Sequence, residues 1–403
     1  MSNTLDGGSF KEVWSRTMQR FNEKMDVFRM ICDFSEEQSL SEGDTLNKPY
    51  RSAMTPQSYT RGTAVTIQDL TNANEALTVN QAFVDPFYVD DLDELQSSYK
   101  NIKEYAADSS VDLNNWMDGD VLGEYDNASS IVSNYDIAGG TVGDGFTLTT
   151  SNILKVFSSA KKKLKRLNIF NNLFAVISPD FEAVLMEYLA GKDTVLGDST
   201  GTNGNIGRFY GFELYVSNNC GWSGELAYDA TTPTATDTVV INGVTFTFQT
   251  TIGATAGNVL AVTDGVTSFT NLKNFINDTA TTSANQVALS VANQRLMRGI
   301  TATVDTTATG ALYIKAEGKS FVTVSETLTP AADVWTSAKQ IQHQLFGQKG
   351  AITFIAQKYA TVEIKDVPDK LGKNIIPWML YGLKTFLKAK DKLVDVRVRS
   401  DAY

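Results

Sequence analysis

An abrupt change of composition in the second half of the chain constrains its fold more than any other feature. From about Ala227, and through residues 229–338, the sequence is rich in Thr, Ala, Val and Asn and poor in Lys and Arg. The sequences on either side of this segment resemble each other in composition, so we interpret 229–338 as an inserted, mainly β domain. Alternation predicts its strands, Asn242-Gly243 predicts a tight turn, and one helix is expected. The predicted strands are 238–241, 244–248, 300–304, 311–315 and 321–324, and the helix is 268–277.

The insertion divides a sheet between two parts of the chain. Before it, Leu173–Ile177 and Phe212–Val216 have the patterns of strands. After it come strand patterns at 351–355, 360–364 and 393–398. The last of these alternates cleanly, which predicts a strand that completes a sheet with the two earlier ones. The sequence therefore predicts an α+β fold whose main sheet is split by an insertion.

Two elements near the N-terminus have apolar faces and no evident partner within the chain. Residues Ser9–Cys32 carry Phe, Trp and Met side chains at helical spacing, which predicts an amphipathic helix. The segments 63–67 and 77–83 alternate around a polar tip at 71–75, which predicts a two-stranded hairpin. A lone hairpin is marginal in water, and exposed apolar elements need cover. We therefore expect obligate self-association, in which copies of the chain cover one another.

Helical periodicity predicts further elements in the first half of the chain. The apolar spacing and the Ser178-Pro179 start signal carry this prediction. The predicted helices are Tyr88–Ala106, about 111–125, Thr149–Leu167, and one that follows Ser178 and stops at Gly191.

Two groups of carboxylates are candidate cation ligands. Asp90, Asp91 and Asp93 fall in or beside the first turn of the helix predicted from Tyr88, and Asp118 and Asp120 form a second group. Neither group has the spacing of a calcium-binding loop, and complementation of the helix dipole accounts for the first. We expect no bound metal or cofactor, and we interpret the first group as candidates for subunit contacts.

The helix predicted over 149–167 ends in a dense run of basic side chains. A net charge of −11 argues against a chain that coats nucleic acid through its overall field, but not against one basic face. The run is either a solvated helix face or a contact surface for DNA, an acidic partner or a neighbouring subunit. Its members are Lys161, Lys162, Lys163, Lys165 and Arg166.

No catalytic set is evident, and we expect a protein that is not an enzyme. The chain has one histidine, His343, so a Ser-His-Asp or Cys-His device would depend on a residue in a polar stretch. We interpret it as a surface or hinge residue. Residues 318–320 resemble the end of a phosphate-binding loop, but Tyr313 stands where its first glycine should be and no helix follows.

Nothing in the sequence indicates export or insertion into a membrane. The N-terminus lacks the basic-then-apolar pattern of a signal peptide. No apolar run approaches the ~20 residues that cross a bilayer. We expect a protein that is made and used in cytoplasm, with no membrane partner.

Several sequence phrases are informative when they are taken in order. They are GDTLNKPY, YTRGTAVTIQDL, LTVNQAF with YVDDLDELQ, LFAVISPDFEAVL, NIGRFYGFELYVSNN and YGLKTFLKAKDKLVDVRV. This ordered set resembles the major capsid protein of tailed bacteriophages, with the HK-ninety-seven-like fold. The resemblance covers most of 1–222 and 345–403 and leaves out 229–338.

The resemblance implies a division of the chain and a function. It implies hexamers and pentamers that close an icosahedral head around double-stranded DNA, in a virion assembled in the host cytoplasm. Scaffolding, portal and decoration proteins are the implied partners. The implied divisions are an N-arm at 1–41, an extended E-loop at 42–84, a peripheral domain at 85–170 with its long spine helix at 149–167, an axial domain at 171–228 that is completed with the peripheral domain by 339–403, and the insertion at 229–338.

Two other functions are compatible with the same residues. One is an encapsulin-like nanocompartment, which has the same fold but encloses a cargo enzyme. The other is a phage structural protein that binds carbohydrate or a cell surface, with 229–338 as its binding module. The N-arm and the large insertion favour a virus over a nanocompartment.

Overall fold

The structure is a computed structural model of the 403-residue chain. It describes residues 24, 26–40, 43–51, 54–65, 67, 72–92, 101–192, 207–229, 231–262, 264–307, 310–329, 332–367 and 370–400. Most of the helix predicted at Ser9–Cys32 lies outside these residues. Its end is described as a short helix, Phe28–Ile31, whose Phe28 and Ile31 are buried.

The described strands and helices are as follows. The strands are β1 (Thr45–Arg51), β2 (Asn72–Thr78), β3 (Gln81–Val84), β4 (Phe87–Asp90), β5 (Ser130–Val132), β6 (Leu173–Ile177), β7 (Arg208–Phe209), β8 (Phe212–Val216), β9 (Trp222–Tyr228), β10 (Thr238–Ile241), β11 (Val244–Gln249), β12 (Asn258–Leu260), β13 (Ile300–Val304), β14 (Gly310–Ala316), β15 (Val324–Glu326), β16 (Val334–Trp335), β17 (Ile341–Gln348), β18 (Thr353–Asp366), β19 (Gly372–Lys384) and β20 (Leu393–Arg399). The helices are α1 (Phe28–Ile31), α2 (Asn101–Gly123), α3 (Asn134–Ala138), α4 (Ile153–Arg166), α5 (Pro179–Ala190), α6 (Gly265–Asn277) and α7 (Val291–Met297), with short 3-10 turns at Glu37–Leu40, Glu124–Asn127, Ser337–Lys339 and Lys390–Lys392.

A mixed sheet of ten described strands runs through the middle of the molecule. Its main order is β13-β14-β9-β17-β6-β8-β7, and β20 pairs with β17 and with β5. The predicted sheet that joins 173–177, 212–216 and 393–398 is confirmed. The strand β17 connects them, since it pairs antiparallel with both β6 and β20.

The two faces of this sheet pack against different parts of the chain. On one face, Leu173, Ala175 and Ile177 contact α4 and α5. On the other, Phe174 and Val176 join a second core with α2 and with β18 and β19. Because side chains alternate along a strand, an apolar run such as Leu173–Ile177 serves both cores at once.

A second sheet contains the longest strands, β18 and β19, which form an antiparallel hairpin. Strands β3 and β4 pair with β19, and α2 packs across the hairpin. The predicted helices at 88–106 and 111–125 are corrected here. Residues 101–123 are one continuous helix, and Tyr88 lies in β4.

The relative lengths of the helices also differ from the prediction. Helix α4 has 14 residues and packs on the central sheet with β20 and β5, whereas α2 has 23 residues and packs on the β18–β19 hairpin. The helix predicted at 149–167 is therefore present, but the longest described helix is α2. Its length was missed because polar residues interrupt its apolar stripe.

The hairpin near the N-terminus is present but has a different first strand. Strand β2 pairs with β1, with Thr45 opposite Thr78 and Lys48 opposite Glu75. Residues 63–65, predicted as the first strand, are not in a strand. Strand β1 was missed because it contains Pro49, which an isolated two-stranded ribbon tolerates. The segment predicted at 77–83 is divided, since β2 pairs with β1 and β3 pairs with β19.

The insertion contains its own sheet but shares a core with the rest of the chain. Its sheet has the order β12-β11-β10-β15, and Asn242 and Gly243 have the left-handed backbone of the predicted tight turn. However, β13 and β14 extend the central sheet from β9. Trp222, Leu226 and Tyr228 of β9 are buried in the core of the insertion. The insertion is thus continuous with the central sheet rather than a separate module.

Candidate interaction surfaces

The basic residues at the end of α4 divide into an anchored pair and an exposed set. Lys163 Nζ lies 2.8 Å from Asp136 Oδ2 and also donates to the Ile131 carbonyl. Lys161 Nζ donates to the Tyr210 carbonyl at 2.6 Å and lies over the Tyr210 ring. The three exposed members make no ion pair within the described part of the chain. They are Lys162, Lys165 and Arg166.

These exposed cations border a shallow groove between α4 and the loop that carries Tyr210. Helix α4 carries six Lys and Arg residues and no acidic residue over its 14 positions. Cations at a helix C-terminus complement the dipole, but that effect acts only within the last turn. The groove presents several N–H donors and an aromatic ring on one surface, which is chemistry suited to phosphate oxygens.

The predicted acidic group is only partly described. Asp90 is the last residue of β4, and its Oδ1 accepts from the Leu92 amide at 2.9 Å. Asp91 is exposed and helical, and Asp93 lies outside the described residues. Residues 91 and 92 are helical, so helical conformation follows Asp90 rather than starting at Tyr88, and residues 93–100 lie outside the described residues. Asp90 and Asp91 lie at the outer end of the β18–β19 sheet.

The segment that connects β1 to β2 contains a loop with large exposed apolar side chains. Met54, Tyr59, Val65 and Ile67 are 64%, 66%, 67% and 88% exposed. Single apolar residues on a surface are ordinary, but four within one loop are typical of a segment that contacts a partner. Within the described residues no core covers them. This loop is the feature that most needs a partner.

The N-terminal end of the described chain is clamped onto α2 by one buried carboxylate. Asp118 accepts from the amides of Val27 and Phe28, both at 2.8 Å, from Asn219 Nδ2 at 2.8 Å and from Ser217 Oγ at 3.2 Å. Burial raises the pKa of Asp118, and these four donors oppose that shift. Asp118 therefore serves as a structural acceptor.

The neighbouring Asp120 has a different environment. It accepts from the Tyr381 hydroxyl at 2.9 Å, and burial raises its pKa to about 6. No group of three or more His, Cys, Asp or Glu residues suited to a metal ion occurs among the described residues. The two carboxylates considered as cation ligands are thus engaged by protein donors.

His343 is buried, so the interpretation of a surface or hinge residue is wrong. It lies in β17, is 4% exposed, and is stacked on Tyr125 with ring centroids 3.7 Å apart. Its ring nitrogens contact Ser223 and Asp395. The sequence of β20 did indicate a special role for Asp395, because alternation places it on the other face of the strand from the buried valines. The partners are too distant in sequence to be paired without the strand register.

No helix of the described chain is long and apolar enough to cross a membrane.

Comparison with known proteins identifies the fold. No protein-family model and no curated protein sequence matches the chain. Among solved structures, one from Mycobacterium phage Che8 superposes with a TM-score of 0.59 at 14% identity, covering 97% of this chain and 98% of the other. The capsid of cyanophage P-SCSP1u gives 0.53 at 11% identity over 97% and 93%. The head structure of Helicobacter pylori bacteriophage KHP40 gives 0.52 at 10% identity over 99% and 98%. The chain has the fold of these phage capsid structures, and the predicted α+β capsid fold is confirmed.

Proposed function

We propose that this chain, which has a phage capsid fold, is a major capsid protein that assembles into hexamers and pentamers of an icosahedral head. The observation that carries the proposal is the extent of the structural match, which covers almost the whole of this chain and of phage capsid structures. A match of one domain would leave room for another function, but a match over whole chains favours the same use of the fold.

The exposed loop gives a physical reason for assembly. Met54, Tyr59, Val65 and Ile67 expose apolar area that water disfavours. In the proposed shell this loop lies across a neighbouring copy, which removes that area from water. Permanent assemblies of this kind bury interfaces on the order of several thousand Å². The proposed scaffolding, portal and decoration partners are carried by the resemblance alone.

We further propose that Lys162, Lys165 and Arg166 face the enclosed double-stranded DNA. They are exposed, lie on one helix end, and border a groove suited to phosphate. Contacts of this kind carry no base specificity and weaken as salt concentration rises. The surface therefore positions DNA without selecting a sequence, although the chain as a whole is acidic.

The test of assembly is a substitution in the exposed loop of the full chain. Ile67→Asp places a charge where the proposed neighbour packs, and it should prevent particle formation without changing subunit unfolding, because Ile67 is 88% exposed. Gln57→Asp is the matched control, since Gln57 is exposed in the same loop. Sedimentation and electron microscopy measure the particles. Normal shells from Ile67→Asp would count against the proposal.

The test of the basic surface is charge reversal at Lys162, Lys165 and Arg166 together. We expect shells that retain less DNA, with unchanged subunit stability. Reversal of three exposed lysines on other elements is the control, at Lys365, Lys370 and Lys388. Equal DNA content in both variants would remove the DNA-facing role. Particles filled with protein instead of DNA would favour the nanocompartment.

A further inference from the structure

The only histidine of the chain lies between a serine and a buried carboxylate. His343 Nε2 is 2.8 Å from Ser223 Oγ, and His343 Nδ1 is 2.9 Å from Asp395 Oδ1. Asp395 is 1% exposed, and Arg397 Nε donates to its second oxygen at 2.7 Å. The three residues come from β9, β17 and β20, whose antiparallel pairing fixes their relative positions. This is the hydrogen-bond order of a serine nucleophile, its base and the group that orients the base.

The charge state of Asp395 suits that order. Burial opposes ionisation of Asp395, but His343 and Arg397 hold the pKa of this carboxyl below its usual range. In the neutral tautomer whose Nδ1–H donates to Asp395, Nε2 accepts from the Ser223 hydroxyl. His343 is therefore placed to take the proton of Ser223 when the oxygen attacks a carbonyl carbon.

A cavity adjoins this array and contains an unused hydrogen-bond donor. Ser223, His343 and Tyr125 line a cavity of about 280 Å³. Tyr125 is 2% exposed, and its hydroxyl has no hydrogen-bond partner within the described residues. Burial raises the pKa of Tyr125 well above its usual value, so the hydroxyl stays protonated. A buried donor without an acceptor is uncommon, and this one belongs to a residue that lines the same cavity as Ser223.

The charged groups that line the cavity are paired. Lys315, Lys339 and Arg397 border it together with the carboxylates of Asp126 and Glu225. Lys315 pairs with Asp126, Lys339 with Asp144 and Arg397 with Asp395. These ion pairs hold the polar wall of the cavity in place without favouring an acyl group of either charge.

We propose that Ser223 is an activated nucleophile that accepts an acyl group from a small ester or thioester. Ser223 Oγ bonds to the acyl carbon, His343 Nε2 takes the hydroxyl proton, and Tyr125 donates to the carbonyl oxygen as it becomes negative. Asp395 is a positioning residue for His343. Collapse of the tetrahedral adduct breaks the bond to the alcohol or thiol, which leaves with the proton from His343. The product is an ester on Ser223, a stoichiometric modification that is independent of the proposed shell function.

The experiment treats the full folded chain with p-nitrophenyl acetate. Release of p-nitrophenolate gives the rate, and peptide mass spectrometry gives the acetylated residues. Ser35, an exposed serine, is the internal control. We expect acetylation of Ser223 to exceed that of Ser35 by about 100-fold or more, and to fall by about 100-fold in His343→Gln, because general bases contribute that much.

Three more variants separate reactivity from folding. Ser223→Ala should abolish the fast phase. Tyr125→Phe removes one oxygen that makes no hydrogen bond to the described residues, so the variant should keep its thermal stability while the rate falls by about tenfold or more. Asp395→Asn should slow acetylation of Ser223 and leave that of Ser35 unchanged. Acetylation of Ser223 no faster than that of Ser35, or an unchanged rate in folded Tyr125→Phe, would overturn the proposal.

Discussion

The contact between α2 and the insertion depends on a glycine, and a single methyl group tests it. A Cβ atom at Gly119 would lie 2.7 Å from Gly318 Cα and 2.9 Å from Gly318 N, both of which are backbone atoms. For a Cβ at Gly123, one turn further along the same helix, the three nearest atoms all belong to the Glu317 side chain, and the nearest is 3.5 Å away. The same Gly→Ala substitution therefore meets backbone atoms at position 119 and the end of a side chain at position 123.

The magnitude follows from two terms. Replacing glycine by alanine inside a helix gains up to about 1 kcal/mol of unfolding free energy. Forcing a methyl group into closely packed backbone costs about 1–3 kcal/mol. The helix term is common to both variants and largely cancels in their difference. Gly119→Ala should thus be less stable than Gly123→Ala by about 1–3 kcal/mol, and Gly123→Ala should be as stable as the natural chain or more so.

Urea-induced unfolding of the unassembled full chain measures the difference. Equal slopes against urea would show that the two variants unfold the same structure, so that their midpoints report stability. We expect a lower midpoint for Gly119→Ala alone. Equal midpoints for the two variants would refute the close approach of α2 to residue 318. They would also refute the contact through which the insertion packs on α2.

Three further predictions concern buried carboxylates and the insertion. Asp118→Ala leaves four donors without their acceptor and should lower the free energy of unfolding in urea by about 3–5 kcal/mol. The exposed control Asp112→Ala should lower it by about 0.5 kcal/mol or less. A loss below about 1 kcal/mol for Asp118→Ala would contradict the clamp. Asp333 is 2% exposed and burial raises its pKa to about 6, so the folded chain holds a proton that the unfolded chain releases, and unfolding free energy should fall by up to about 3 kcal/mol as pH rises from 4 to 7. In Asp333→Asn that part of the pH dependence should vanish, and an unchanged profile would show that Asp333 does not cause it. Deletion of 229–338 should give insoluble chain, because β9 loses the pairing of β14 and uncovers its core side chains; a soluble, assembling deletion variant would show that the shared core is dispensable.

The sequence correctly predicted the elements in which every side chain fits one simple pattern, such as continuous burial, strict alternation or a tight turn. Leu173–Ile177 is apolar throughout and is buried on both faces, and β20 alternates as its pairing requires. Asn242-Gly243 forms its tight turn because both residues adopt positive φ. In each case local preference and tertiary environment agree, so the pattern was sufficient.

The elements that sequence missed depend on distant partners. Strand β17 reads as polar, yet Gln342 and Gln344 are fully buried. They are accommodated because their amides bond to Ser178 at the start of α5. The same register brings Ser223 and Asp395 to His343, so the candidate nucleophile could not be found from spacing in the chain. The basic run was visible in sequence, whereas its separation into anchored and exposed lysines was not, and part of the exposed loop was predicted as a strand.

Closure of copies of this chain into a shell can be observed by cryo-electron microscopy of the full chain, expressed with its assembly partners. We expect closed icosahedral particles in which the loop containing Ile67 lies on a neighbouring subunit. Monomers that persist under all assembly conditions, or particles in which that loop is exposed to solvent, would contradict it.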